Sequence, residues 1–201
     1  MSEKPQKKGS TNFIIIALIF IAGISIINIF MAKNARVNFD IVGNDNYYYI
    51  KDNGNVVMLS KVVVQAQDEK SYNTLLASYK KPDSEKRKVY EDFIANLTKK
   101  TGRNFELISV QSTVTVSDGY KINVVERSEI KGFIQKIGNN QYEFSLSDQK
   151  INLENATLYI YKPENWEFTK VIPNPTEITE KYLLWKNTGE IQFPDVILER
   201  K

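Results

Sequence analysis

The sequence predicts an α+β protein: an N-terminal transmembrane helix, then a predominantly antiparallel, sandwich-like β domain with an inserted helix pair. Three observations carry that reading. Residues 13–32, FIIIALIFIAGISIINIFMA, form an uncharged run of twenty, thirteen of them Ile, Leu or Phe. Apolar residues beyond it recur mostly with the period of two expected of strands. Between 68 and 101 the period changes to that of helices, in two stripes separated by Pro82.

Twenty residues at about 1.5 Å of rise each span the roughly 30 Å of bilayer hydrocarbon, so 13–32 is read as a membrane span. Residues 1–12 are then a short tail bearing Lys4, Lys7 and Lys8, while Lys33 and Arg36 flank the other side. The positive-inside bias places the tail in the cytoplasm and residues 33–201 outside the cytoplasmic membrane. Two other readings of this segment exist. Gly23-Ile24-Ser25 offers a small-x-small cleavage site of a signal peptide. Lys7-Lys8-Gly9 resembles a prepilin processing site, but lacks the glutamate that pilins carry soon after the cut glycine.

Composition narrows the function classes. The chain has 201 residues, 42% hydrophobic and 25% charged, which suits a folded domain with a real core. Net charge is +3 overall and +1 for residues 33–201, so nothing electrostatic argues for nucleic acid. Cysteine and histidine are both absent, which removes disulfides, Cys/His metal sites, thiol nucleophiles and imidazole triads.

The elements follow in order. Val37, Phe39 and Ile41 alternate with polar residues, Gly43-Asn44-Asp45 reads as a turn, and Tyr47–Ile50 returns. Asn53-Gly54 is a strong hairpin signal leading into a strand over 55–65, so a three-stranded meander is expected. Tyr72, Leu75, Leu76 and Tyr79 make one helical stripe. Asp83 or Ser84 is expected to cap a second helix with Val89, Tyr90, Phe93, Ile94 and Leu97 on one face, ended at Gly102. Both stripes are expected to lie on a sheet. Ile108, Val110, Val114 and Val116 alternate, Asp118-Gly119 turns, and 120–126 returns. Residues 132–137 and 141–146 flank Gly138-Asn139-Asn140. Further strands are expected at 156–161, 167–172, 178–185 and 195–199, with a possible subdivision near 129–132.

No constellation points to catalysis, and the chain is read as a non-enzyme with no cofactor and no metal. Glu126 with Glu129, Asp148 with Glu154, and Glu177 with Glu180 are close in sequence, but residues three apart on a strand face opposite sides. They are read as solvated surface charge. Asn44-Asp45-Asn46 and Asp52-Asn53-Gly54 are too short for a calcium loop and are read as turns. The candidate interaction surface is aromatic: Tyr47, Tyr48 and Tyr49, and Trp166 and Trp185. The tyrosines suggest a membrane-resting edge, set against a strand with one ring buried and two exposed. The tryptophans suggest a ligand platform, set against a sandwich core.

The chain resembles a family of uncharacterised bacterial single-span proteins known only as a domain of unknown function. The resemblance rests on the order of elements and on Pro163-Glu164-Asn165-Trp166, Pro173-Asn174-Pro175, Leu184-Trp185 and Phe193-Pro194-Asp195. It implies no activity and no functional residues. The architecture also resembles the single-span jelly-roll proteins that pass lipid across the periplasm, an analogy of fold from which the helix pair departs. The expected function is a binding or scaffolding module of the cell envelope, with the bilayer at 13–32 and an envelope protein as partners. The alternative is a lipid- or glycan-handling carrier or carboxylate-based hydrolase.

Overall fold

The computed structural model describes residues 37–146 and 149–201. The tail and the apolar run 13–32 lie outside the described residues. Among those described, no helix is long and apolar enough to cross a membrane.

A mixed seven-stranded sheet organises the fold, with strand order β10-β11-β8-β1-β2-β4-β3. Its strands are β1 (Phe39–Ile50), β2 (Val56–Ala66), β3 (Glu106–Ser117), β4 (Lys121–Lys131), β8 (Thr157–Tyr161), β10 (Glu177–Ile178) and β11 (Tyr182–Lys186). A second sheet of four strands runs β5 (Ile134–Lys136), β6 (Gln141–Phe144), β13 (Asp195–Arg200) and β9 (Trp166–Ile172). β7 (Lys150–Asn152) and β12 (Glu190–Gln192) pair separately. Among the described residues every strand pair is antiparallel except β1 with β8, which run parallel over Asp45–Tyr49 and Thr157–Tyr161.

The expected turn at Gly43-Asn44-Asp45 does not exist. β1 is one strand of twelve residues, and the irregularity there is a bulge between Ile41 and Gly43 opposite Val64 and Val63. A bulge inserts an unpaired residue without reversing the chain, which is how these turn-forming residues are accommodated. The Asn53-Gly54 and Asp118-Gly119 hairpins form as expected. Residues 178–185 are two strands instead of one, folded back so that Ile178 pairs with Leu183.

Two helices connect β2 to β3. In α1 (Glu69–Tyr79) the Asp68 carboxylate accepts from the Ser71 amide at 2.7 Å and caps the first turn. α2 (Asp83–Thr101) is not capped by Asp83 or Ser84, which already belong to the helix. Instead the Pro82 carbonyl accepts from the Glu85 and Lys86 amides, and Asp83 and Glu85 offset the positive end of the dipole. Gly102 ends the helix at φ 67, a left-handed position suited to a residue without Cβ.

The register sorts the large sheet into two faces. Asn46, Ser60, Glu126 and Ser112 are successive partners across β1, β2, β4 and β3, as are Tyr48, Met58, Ser128 and Val110. These rows point inward, with Leu158, Ile160, Leu183 and Trp185 beside them, all four fully buried. The inner face is covered twice. The helices lie over β2, β4 and β3, and Phe133, Phe144 and Phe193 set their rings edge-on to Tyr48.

Candidate functional site

The outer face of the same sheet is paved with tyrosine. Alternation along β1 sends Tyr47 and Tyr49 outward and Tyr48 inward; Tyr48 is 3% exposed and belongs to the core. Along β8, Tyr159 and Tyr161 share the outward side, and Tyr182 on β11 joins them. The parallel register sets Tyr47 beside Tyr159 and Tyr49 beside Tyr161. Their ring centroids are 4.9 and 4.7 Å apart with interplanar angles of 8° and 20°. Those separations match the spacing between neighbouring strands, so the rings stand upright, side by side.

One end of this stack is covered by Tyr182, and the other is covered at Tyr47. Tyr182 lies across Tyr159 and Tyr161 at 5.6 and 5.3 Å, and the Lys61 ammonium sits 5.2 Å from the Tyr47 ring centre. The rings therefore shield one another's faces, and ring edges with hydroxyl groups remain to meet a partner. Partial burial raises the Tyr47, Tyr49 and Tyr161 phenols above their ordinary range, so they stay neutral donors. Tyr182 is raised first by its own bond to the Glu177 carboxylate, 2.8 Å away.

Trp166 and Trp185, posed as part of an interaction surface, are 1% and 0% exposed and are no part of one. Trp166 packs 4.4 Å from Tyr142 in the small sheet. Trp185 donates through its indole N–H to the Pro173 carbonyl at 3.2 Å. Large apolar rings bury when a core can enclose them, and this one does.

A second cluster is buried beneath the helix pair. Glu126, expected as solvated surface charge, is fully buried on the inner face. The Tyr90 hydroxyl donates to its Oε2 at 2.8 Å, while Oε1, the Ser128 hydroxyl and the Tyr79 hydroxyl have no hydrogen-bond partner among the described residues. Burial raises the Glu126 carboxyl to about 8, against smaller opposing effects of the Tyr90 hydrogen bond and the Lys86 charge. The Lys86 ammonium itself reaches Ser112 at 3.1 Å and Asp83 at 3.6 Å. Burial thus favours the neutral, protonated form of this carboxyl. The polar row continues to β1, where Ser60 donates to Asn46 at 3.0 Å and Asn46 donates to Asn44 at 2.9 Å. Asn44 and Asn46, read as turn residues, are thus buried hydrogen-bonding groups within a strand. Glu129, three residues from Glu126, faces the other way and bonds Lys51 and Asn55, both at 2.8 Å. Among the described residues no group of three Asp, Glu, His or Cys is placed to hold a metal ion.

Sequence reading missed Tyr159, Tyr161, Tyr182 and the burial of Glu126. The alternation of Thr157-Leu158-Tyr159-Ile160-Tyr161 carries a signal for the first two, because it puts both rings on one face. The series Ile122, Val124, Glu126, Ser128, Ile130 carries it for Glu126, which falls in step with residues of the apolar side.

No curated protein matches the chain in sequence. Among solved structures it is similar to the folded domain of LppM from Mycobacterium tuberculosis, determined by NMR. That similarity has 11% identity and a TM-score of 0.44, covering 83% of this chain and 94% of the other. The model of a family described as a domain of unknown function, DUF4897, matches residues 39–199, and the chain belongs to that family.

Proposed function

We propose that this protein is a non-enzymatic, single-pass binding module of the cell envelope, its amino terminus inside and its sheet-rich body outside the cytoplasmic membrane. The anchor is the apolar run 13–32, and the orientation rests on the lysines that precede it. The binding surface is the tyrosine face, and that face is the observation that carries the reading.

Tyrosine brings large contact area at low conformational cost and is enriched where proteins meet proteins. The upright stacking favours a protein over a glycan. Sugars pack on open ring faces, and here those faces are taken by neighbouring tyrosines. A partner strand or loop can instead accept from the row of hydroxyls while covering the ring edges. Tethering restricts the search to the membrane plane and raises the effective concentration of an envelope partner.

A photo-crosslinking residue placed at Tyr159 in intact cells tests the surface, with the exposed Lys88 on α2 as control. Discrete adducts of one size from Tyr159, absent from Lys88, are expected. The same adduct pattern from both positions overturns the assignment of the face. Protease added to spheroplasts tests the topology: the body is digested if it lies outside and protected if it does not.

A further inference from the structure

One end of the large sheet gathers exposed apolar side chains where the chain arrives from the apolar run. β1 begins at Phe39, which pairs with Ala66 at the end of β2. The Ala66 amide donates to the Tyr120 carbonyl at 3.1 Å, and the Gln65 side chain donates to the Gly119 carbonyl, which fixes the β3–β4 turn beside that point. The Gln67 amide bonds the Asn38 carbonyl, and the Asn38 amide bonds the Ser71 hydroxyl at the start of α1. Four elements thus share this end: the start of β1, the end of β2, the β3–β4 turn and the start of α1.

Val42, Val116 and Tyr120 stand here 56%, 53% and 43% exposed. Val42 is the residue that the bulge in β1 leaves unpaired. Tyr120 lies 5.6 Å from Tyr72 of α1, so a ring at the tip is backed by a second ring. Near this end Lys70 and Lys121 stand against Asp40, Asp68, Glu69 and Asp118, two basic groups against four acidic ones, so the end carries a charge of −2 and suits zwitterionic headgroups better than anionic ones.

Six residues, 33–38, separate the apolar run from β1. Even fully extended they reach about 20 Å. We infer that this end of the sheet rests on the outer surface of the bilayer, with Tyr120, Val116 and Val42 at the level of the lipid headgroups. The inference rests on the reading of 13–32 as the anchor. Tyrosine at the tip suits that zone, where its ring meets acyl chain and its hydroxyl meets water.

An orientation follows. With its β1-start end on the membrane, the sheet stands along the membrane normal. Tyr47 and Tyr49 lie eight and ten residues up β1 from Phe39, or about 26 to 33 Å at the rise of a strand. The tyrosine face is then held sideways and clear of the lipid. This replaces the membrane-resting edge that Tyr47–Tyr49 suggest in sequence: lipid meets Tyr120, and a partner meets Tyr47, Tyr49, Tyr159 and Tyr161.

The chain has no cysteine, so single labels can be placed without background. Fluorophores are attached at Tyr120→Cys, Val116→Cys, Tyr161→Cys and Ile21→Cys in the full-length protein, reconstituted in phosphatidylcholine nanodiscs with and without headgroup- or chain-labelled quencher lipids. Val116 is included because Tyr120→Cys removes the ring that packs against Tyr72. Ile21 quenched by chain-labelled lipid, with labels at 116 and 120 quenched at least about threefold more than 161 by headgroup-labelled lipid, is the expected result. Ile21 quenched but 116 and 120 no more quenched than 161 overturns the orientation and leaves the anchor standing. Ile21 unquenched overturns both.

Discussion

The two faces of the seven-stranded sheet are made from the same strands and differ in almost everything else. The inner face is closed by a helix pair and a second sheet, and it hides the Glu126 carboxyl, whose neutral form burial favours, in a short polar row within the core. The outer face is open and keeps its aromatic rings upright against each other. One alternation of residues produces both. The comparison teaches that side-chain parity divides core from open surface: Tyr48 belongs to the core while its neighbours Tyr47 and Tyr49 lie on the open face.

Substitution can break that division. Trp185→Ala, on the inner face, is expected to lower unfolding free energy by about 3–5 kcal/mol in denaturant titration, since it empties a fully buried ring. A loss below about 1 kcal/mol would show that the inner face is not the stabilising one.

Glu126 sharpens the contrast through pH. Its folded carboxyl holds a proton up to about pH 8, whereas an unfolded chain releases it near the ordinary glutamate value. The folded state therefore binds the extra proton, and stability falls as pH rises through that window, by at most about 1.4 kcal/mol per pH unit, levelling off above it. Glu126→Gln should flatten the curve and gain on the order of 3 kcal/mol at about pH 9 relative to its difference at about pH 5. Thermal melts across that range check it, and parallel curves for the two proteins would refute it.

Tyr90→Phe removes a hydroxyl that bonds Glu126 Oε2 and should cost about 1–3 kcal/mol. Because that bond favours the ionised carboxyl, the Glu126 titration should move further up, visible in carboxyl-carbon NMR. The smallest effect belongs to the open face. A double-mutant cycle of Tyr47→Ala and Tyr159→Ala should give a coupling of about 0.5–1.5 kcal/mol. Melts that match the wild type within about 1 kcal/mol for Tyr159→Ala, together with loss of crosslinks from a photo-crosslinking residue carried at Tyr161 instead, would place the role of these rings in recognition.

Much of the fold is legible along the chain because it is local. Asn53-Gly54 and Asp118-Gly119 dictate hairpins by backbone conformation, and the stripes of α1 and α2 dictate which sides bury. Gly43-Asn44-Asp45 misleads for the same local reason, since residues that favour turns also tolerate a bulge inside a strand. The candidate site is less legible. Tyr47 and Tyr49 stand out as a run, but Tyr159 and Tyr161 reach them through a parallel pairing of segments over a hundred residues apart. Such a pairing has no turn to announce it. By its type Glu126 reads as a solvated carboxylate, because charge normally avoids a core. Its burial follows from its step with Ile122 and Val124 and from the closure of the helix pair above it.

By itself the sequence determined an apolar run long enough to span a bilayer, a body rich in antiparallel hairpins, two amphipathic helices and the absence of thiol and imidazole chemistry. Each of these is a property of composition or of neighbours a few residues apart. Only the tertiary structure decided which face of the sheet is covered, that β8 joins β1 to build the tyrosine stack, and that Trp166 and Trp185 are enclosed. Those outcomes depend on contacts between segments far apart in the chain, whose entropy of closure is repaid only when the whole core assembles.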